Sequence, residues 1–180
     1  ACRKLFRLIC ICLAAVPLIA QQAQPKPGAR KALLLGVPQY QALGQAPSAE
    51  PDLNLVEESL KQVGFSIKRL MNFKLAEMRS AVKEFIAGIA EGDEVFVYFS
   101  GVGLHADRDN FLLAADFDPR RKQGFSLTAL AQDLEDRNGA VKIVFVDAAR
   151  AGEILGESAG LIAPVEQTRE TLIVFSQQYE

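Results

Sequence analysis

The sequence predicts an α/β domain built on a mainly parallel β-sheet with helices on both faces. Short, continuous apolar runs such as 32–37 and 94–100 suit strands that are buried on both sides. These runs alternate with stretches in which apolar residues recur every three or four positions, as on one face of a helix. Strands that alternate with amphipathic helices are typical of crossover units, whose strands are parallel.

The first part of the domain contains two strand and helix pairs. The apolar run 32–37 predicts the first strand, and residues 65–71 predict the second. A helix is predicted over 52–63 and another over 74–90. The apolar stripe of the earlier helix consists of Leu53, Val56, Leu60 and Val63. That of the later helix consists of Leu75, Met78, Val82, Phe85, Ile86 and Ile89.

The second part continues the same alternation. Residues 94–100 contain Val-Phe-Val-Tyr-Phe, a strongly strand-forming run, and predict the third strand. A short extended piece is predicted at 110–113. Leucines spaced by three and four predict a third helix over 126–136, with Ser126 as its N-cap. The fourth and fifth strands are predicted at 141–146 and 171–176.

The N-terminal segment has the order of a secretory signal peptide. Arg3, Lys4 and Arg7 precede an apolar stretch over 8–20, and small or polar residues follow. The alternative is an uncleaved membrane anchor, for which the stretch is short of the ~20 residues needed. We therefore expect residues 1–23 to be removed and the protein to be exported, to the periplasm or the outside. Residues 24–30 are predicted to be a flexible lead-in, and 31–180 the folded domain.

Composition excludes several kinds of site. All three cysteines lie within the first twelve residues, and His105 is the sole histidine. The mature chain is therefore predicted to have no thiolate, no disulfide and no thiolate zinc site. Its carboxylates lack metal-ligand spacing, so no catalytic metal and no cofactor are expected. Without the three cations of the leader, 17 Lys and Arg face 22 Asp and Glu, so no nucleic-acid partner is expected.

Two short motifs follow the most apolar runs of the chain. Ser100-Gly101-Val102-Gly103 comes after the third predicted strand, and Asp147-Ala148-Ala149-Arg150 after the fourth. In parallel sheets, sites form beyond the carboxyl ends of the strands, which is where both motifs are expected. The first motif lacks the third glycine of a dinucleotide-binding turn and no amphipathic helix follows it, so no nucleotide is implied.

The order of several segments resembles the caspase/metacaspase family of cysteine peptidases. The matching segments are 31–36 with Tyr40, then 63–65, 92–95 and 110–113. The resemblance implies a caspase-type sandwich, whose usual sheet has six strands. Because this chain stops just after the fifth predicted strand, either the domain continues in a longer product or it lacks the last strand. An open sheet edge would favour self-association.

At the two motifs the chain departs from the family pattern. Bacterial members typically read Ser-Gly-His-Gly and Asp-Ala-Cys-Arg, so Val102 stands at the position of the general-base histidine and Ala149 at that of the nucleophilic cysteine. The motif glycines, Gly101 and Gly103, are kept. The resemblance therefore implies a pseudopeptidase with a binding or regulatory role.

The resemblance also implies an acidic pocket for Arg or Lys. In metacaspase-like members the aspartate two positions before the cysteine helps form this pocket, and here that position is Asp147. Asp116 and Asp52 are candidates to assist it, although the simplest interpretation of Asp52 is that it begins a helix. Partners would then be basic peptides or an active peptidase relative. The alternative is that Asp147 caps a following helix or pairs with Arg150.

Two other functional interpretations stay open. One is an active hydrolase that uses Ser100, Ser176, His105 or acidic residues, or a peptidase whose cysteine comes from another chain. The other is a structural assembly module that pairs through its open sheet edge.

Overall fold

The computed structural model describes residues 28–150 and 170–176. Within these ranges the chain forms nine strands and three helices, whose bounds follow in chain order. They are β1 (Arg30–Gly36), β2 (Gln39–Tyr40), β3 (Gly44–Gln45), α1 (Ala49–Gln62), β4 (Ser66–Met71), α2 (Leu75–Ala87), β5 (Glu94–Ala106), β6 (Asp109–Leu112), β7 (Phe125–Ser126), α3 (Leu127–Glu135), β8 (Val141–Arg150) and β9 (Thr171–Phe175). The predicted signal peptide and lead-in lie almost wholly outside the described residues.

One mainly parallel sheet forms the centre of the fold. Its parallel strands run in the order β4-β1-β5-β8-β9. β6 pairs antiparallel with the far end of β5, and β7 pairs antiparallel with β6. The five predicted strands are thus all present and all parallel, which confirms the predicted sheet.

The helices cover both faces of this sheet, as predicted. α1 packs Leu53 against Ala32 and Leu34 of β1 and near Tyr98 of β5; we call this the α1 face. α2 and α3 pack into the larger core on the opposite face, the α2–α3 face. Crossover connections between parallel strands are right-handed. The connection through α1 leads from β1 to β4, whereas the connection through α2 leads back across β1 to β5. Because these two connections run in opposite directions along the sheet, their helices lie on opposite faces.

The helix bounds follow from local chemistry. Ser126 caps α3, since its Oγ accepts a hydrogen bond from the N–H of Ala129, as predicted. α1 begins three residues earlier than predicted because Pro51 is tolerated within a first helical turn. Val63, predicted to be the last apolar contact of that helix, is 52% exposed, and the positive φ of Gly64 ends the helix there.

β5 and β8 extend beyond their predicted ends. The predictions stopped at residues 100 and 146, whereas pairing between the two strands continues to Gly103 and Arg150. Both motifs therefore lie within paired strands rather than in loops after them. The extension is stabilised on the other side of β5 by β6, whose pairing begins at Gly103.

No helix in the described part of the chain is both long enough and apolar enough to cross a membrane.

Candidate functional site

Val102 and Ala149 lie side by side on neighbouring strands. They are register partners in the pairing of β5 with β8. The side chain of Val102 is 1% exposed and belongs to the core of the α2–α3 face, whereas Ala149 is exposed. Neither side chain carries an atom that can attack a carbonyl or accept a proton.

The backbone of Val102 is fully engaged. Its N–H donates to the hydroxyl of Tyr40 at 2.7 Å, and its carbonyl accepts from the N–H of Leu113 at 3.0 Å. The Tyr40 hydroxyl in turn donates to the carbonyl of Leu113 at 3.2 Å. Burial raises the pKa of Tyr40 well above its ordinary value, so the phenol remains a neutral donor.

The same hydroxyl leaves no room for a side chain at position 101. A Cβ added at this position would lie 2.5 Å from the oxygen of Tyr40 and 3.1 Å from Phe99. The first motif thus keeps its glycine because a buried phenol occupies the space. Nothing in the sequence pattern around Tyr40 indicated this contact.

Asp147 lies on the α1 face, where hydroxyl groups hold its carboxylate. Its Oδ2 accepts from the hydroxyl of Tyr98 at 3.2 Å, and its Oδ1 accepts from the Oγ of Ser176. Because β8 continues for three residues past Asp147, the aspartate is not the N-cap of a helix. The side chain of Arg150 lies outside the described set, so the proposed pairing with Asp147 stays a prediction.

Asp52 is the second carboxylate near Tyr98. It lies in the first turn of α1. Burial, followed by the negative charges of Asp147 and Asp52, raises the pKa of Tyr98 above its ordinary value. Among the described contacts of these two carboxylates, the hydrogen bond to this phenol comes from Asp147.

Asp116 has a different partner. Its Oδ1 accepts the N–H of Leu75 at 2.9 Å, at the first residue of α2. A carboxylate there satisfies one free N–H group and faces the positive end of the helix dipole. Since α2 packs on the α2–α3 face, Asp116 is not brought to Asp147 by the described contacts.

His105 and Ser100 do not form a catalytic pair. The Nδ1 of His105 lies 2.9 Å from Oδ1 of Asn110, across the β5–β6 hairpin. Ser100 is 1% exposed. Ser176 contacts a carboxylate and not the imidazole. Among the described residues, no group of three His, Cys, Asp or Glu side chains has the arrangement of a metal site.

Comparison with known proteins places this arrangement in context. A family model described as "Caspase domain" matches residues 29–178. None of the curated proteins matches the chain significantly.

Two solved structures are similar to this chain. Protein GSU0716 from Geobacter sulfurreducens is 19% identical, with a TM-score of 0.55, and the match covers 67% of this chain and 50% of that one. The structure of pro-sf-caspase-1 is 16% identical, also with a TM-score of 0.55, and the match covers 83% of this chain and 61% of that one. The chain thus spans between half and about three fifths of these structures. At these identities the likeness shows the fold alone, and it confirms the predicted caspase-type architecture.

Proposed function

Because the chain belongs to the caspase-domain family, we propose that it is a pseudopeptidase of that family, which binds basic peptides without cutting them. The observation that carries this proposal is the pairing of Val102 with Ala149. The resemblance assigns these two positions to the base and the nucleophile, and the neighbouring strands bring them together. The partner of such a domain is a basic segment, either free or within an active relative.

The residues at these positions cannot supply the chemistry. Cysteine peptidases need a thiolate and an adjacent base. In a serine peptidase, loss of the nucleophile lowers turnover by roughly 10⁶. The backbone N–H of Val102 is also taken by Tyr40, so it is not free to stabilise an oxyanion. We expect no measurable peptide cleavage.

The carboxylates of Asp147 and Asp52 support the binding half of the proposal. Asp147 hydrogen-bonds to Tyr98, and the negative charge of Asp52 also contributes to the raised pKa of that phenol, so the α1 face carries negative charge here. A carboxylate can accept about four hydrogen bonds, and Asp147 accepts two from the hydroxyls of Tyr98 and Ser176. It therefore has capacity for the guanidinium of an arginine or the ammonium of a lysine.

The test measures binding and cleavage together. Fluorescent tripeptides of the form acetyl-Gly-X-Gly-amide, with X as Arg, Lys or Asp, are mixed with the protein, with and without calcium. We expect anisotropy to rise with the Arg and Lys peptides alone, and no product to form. Asp147→Asn should weaken Arg binding roughly 10-fold or more, since a hydrogen bond to a charged group contributes about 1.5–3 kcal/mol.

Asp133→Asn is the matched control, because it removes the same charge from an exposed position on α3. An equal loss of binding in both variants would contradict the pocket. Cleavage that survives repurification and inhibitors of contaminating proteases would refute inactivity.

The contact between Ser176 and Asp147 favours a second candidate, a hydrolase with a serine nucleophile. Ser176 is exposed, and its Oγ donates to a carboxylate that would act as the base. Labelling of the protein by a fluorophosphonate, abolished by Ser176→Ala, would support this candidate and contradict a pure binding role. We expect no labelling, since no imidazole lies between the two groups.

A further inference from the structure

Three of the four asparagines in the chain are held in place by the protein. Each has its side-chain oxygen within hydrogen-bond distance of a neighbouring group. The pairs are Asn54 with Nη1 of Arg69 at 2.8 Å, Asn72 with the N–H of Gln39 at 3.2 Å, and Asn110 with Nδ1 of His105 at 2.9 Å. The residue that follows each of them is a leucine or a phenylalanine. These three amides are therefore both restrained and flanked by a large side chain.

Asn138 differs from the other three in both respects. It is exposed in the irregular loop between α3 and β8, and its side chain forms no hydrogen bond with another described residue. The residue that follows it is Gly139, and this is the sole Asn-Gly pair of the sequence. Glycine lacks the Cβ that would hinder contact between its backbone nitrogen and the preceding side chain. The amide of Asn138 is thus the one most accessible to the nitrogen that follows it.

The backbone on either side of this nitrogen is fixed by hydrogen bonds. The carbonyl of Asn138 accepts from the N–H of Gly92 at 3.0 Å, and the N–H of Ala140 donates to the carbonyl of Asp93 at 2.9 Å. Between them, the N–H of Gly139 donates to no acceptor among the described residues. It therefore has no hydrogen bond to give up before it reacts. The two flanking bonds join the loop before β8 to the loop before β5.

We propose that Asn138 is a site of spontaneous deamidation. The Gly139 nitrogen loses its proton to hydroxide and bonds to Cγ of Asn138, and the side-chain nitrogen takes a proton from water and leaves as ammonia. The product is a cyclic imide, the succinimide. Water then opens this ring: breaking the bond from nitrogen to Cγ gives aspartate, and breaking its bond to the α-carbonyl carbon gives isoaspartate. Water is the co-reactant, and nothing is oxidised or reduced.

The two products should differ in their effect on the fold. Aspartate keeps the length of the main chain and adds a charge at an exposed position. In isoaspartate the main chain passes through Cβ and Cγ, so it is one atom longer before Gly139. There is little room for this shift, since even a Cβ at position 139 would lie 3.2 Å from the carbonyl oxygen of Asp93. Isoaspartate should therefore disturb the contact of Ala140 with Asp93.

The experiment incubates the whole chain at pH 6 and at pH 9 and then cuts it after its lysines. The cut places each asparagine in a separate fragment, and Asn138 falls in 123–142. We expect mass spectrometry to show an amide converted to an acid at position 138, faster at pH 9 because the attacking nitrogen must lose a proton. An isoaspartate methyltransferase should label the same fragment. The other three asparagines should keep their amides.

Two variants separate the reaction from its effect on stability. Gly139→Ala should slow the conversion, because its Cβ hinders the attacking nitrogen. Incubation should lower the urea midpoint of the unaltered protein but not that of Asn138→Gln, whose longer side chain closes the ring far more slowly. The proposal is overturned if position 138 keeps its amide, or if all four asparagines convert at the same rate. Conversion with no change in the midpoint would refute the predicted effect of isoaspartate on the fold.

Discussion

The hydroxyl of Tyr40 joins three segments of the chain that are distant in sequence. It contacts β5 at Val102 and the residue after β6 at Leu113, while Tyr40 itself lies in the short hairpin after β1. A buried hydroxyl with two partners holds each of them in one position, because leaving either unpaired would cost free energy. The Tyr40 hydroxyl therefore holds the backbone of Val102 in one position.

Replacing Gly101 with alanine should destabilise the fold by about 1–3 kcal/mol, because the new Cβ would meet the Tyr40 oxygen. Urea unfolding of both proteins measures this difference. Gly88→Ala is the matched control, since a Cβ there would lie at an ordinary 3.4 Å from its nearest neighbour. If the clash with the hydroxyl is the cause, Gly101→Ala combined with Tyr40→Phe should cost less than the sum of the two single changes.

Removal of the Tyr40 hydroxyl should cost about 1–3 kcal/mol and change the response to alkali. Burial raises the pKa of Tyr40 in the folded state, so the unfolded chain ionises first. The stability from this group is complete below pH ~10, the pKa of an unfolded tyrosine, and is lost as the pH rises further. Urea unfolding between pH 8 and 11 should show a smaller loss for Tyr40→Phe than for the unaltered protein. An equal loss would show that other groups, such as Tyr98, cause the alkaline instability.

At the scale of elements, the extended pairing of β5 with β8 determines whether activity can be restored. A histidine at position 102 would replace a side chain that is 1% exposed within an apolar core. A polar ring buried there without a partner costs about 1–3 kcal/mol. Its register partner at position 149 is exposed, so the two side chains of the double variant would lie in different environments.

We therefore expect Val102→His combined with Ala149→Cys to remain inactive on fluorogenic Arg and Lys peptides. Circular dichroism and urea unfolding would establish that the double variant folds. The matched control is Ala149→Cys alone, which should be folded and also inactive. Hydrolysis by the folded double variant would show that β5 can rearrange to bring the imidazole to the surface.

The sequence predicted the strands and helices that have a repeating apolar pattern. The five parallel strands and three helices were found within a few residues of their predicted bounds. The hairpin of β2 with β3, the strand β7 and the extensions of β5 and β8 were not predicted. Their residues include Gly, Asp, Ala and Gln, which are not typical of strands, so only pairing with neighbours makes them extended.

The two motifs were expected beyond the carboxyl ends of parallel strands, and the structure places them on the neighbouring strands β5 and β8, within their pairing. That these positions form a site stays a prediction. The contacts of Tyr40 with Gly101 and of Asp116 with α2 join residues far apart in sequence, and no local pattern encodes them.

At the scale of the whole molecule, Asp93 joins the amino end of β1 to the turn that follows α2. Its carboxylate accepts from the N–H of Ala29, from the N–H of Ala90 and from the ammonium of Lys31. Burial alone would raise the pKa of Asp93, but these three donors outweigh it and hold the pKa below its ordinary value.

Acid should therefore destabilise the fold through this residue. With its pKa lowered in the folded state, Asp93 contributes stability that is complete above pH ~4, near the pKa of an unfolded aspartate, and is lost as the pH falls through the folded value. Unfolding measured between pH 2 and 6 should depend less on pH in Asp93→Asn. Glu84→Gln, which removes an exposed partner of Lys68, is the control and should follow the unaltered protein.

The exposed methyl group of Ala149 makes the protein suitable for a spectroscopic sensor. All three cysteines lie within the first twelve residues, so in a chain that begins after residue 23 a cysteine at 149 would be the sole thiol. A maleimide dye attached there would sit on the same strand as Asp147, two residues away. Its emission would then report, in real time, whether a ligand occupies that carboxylate.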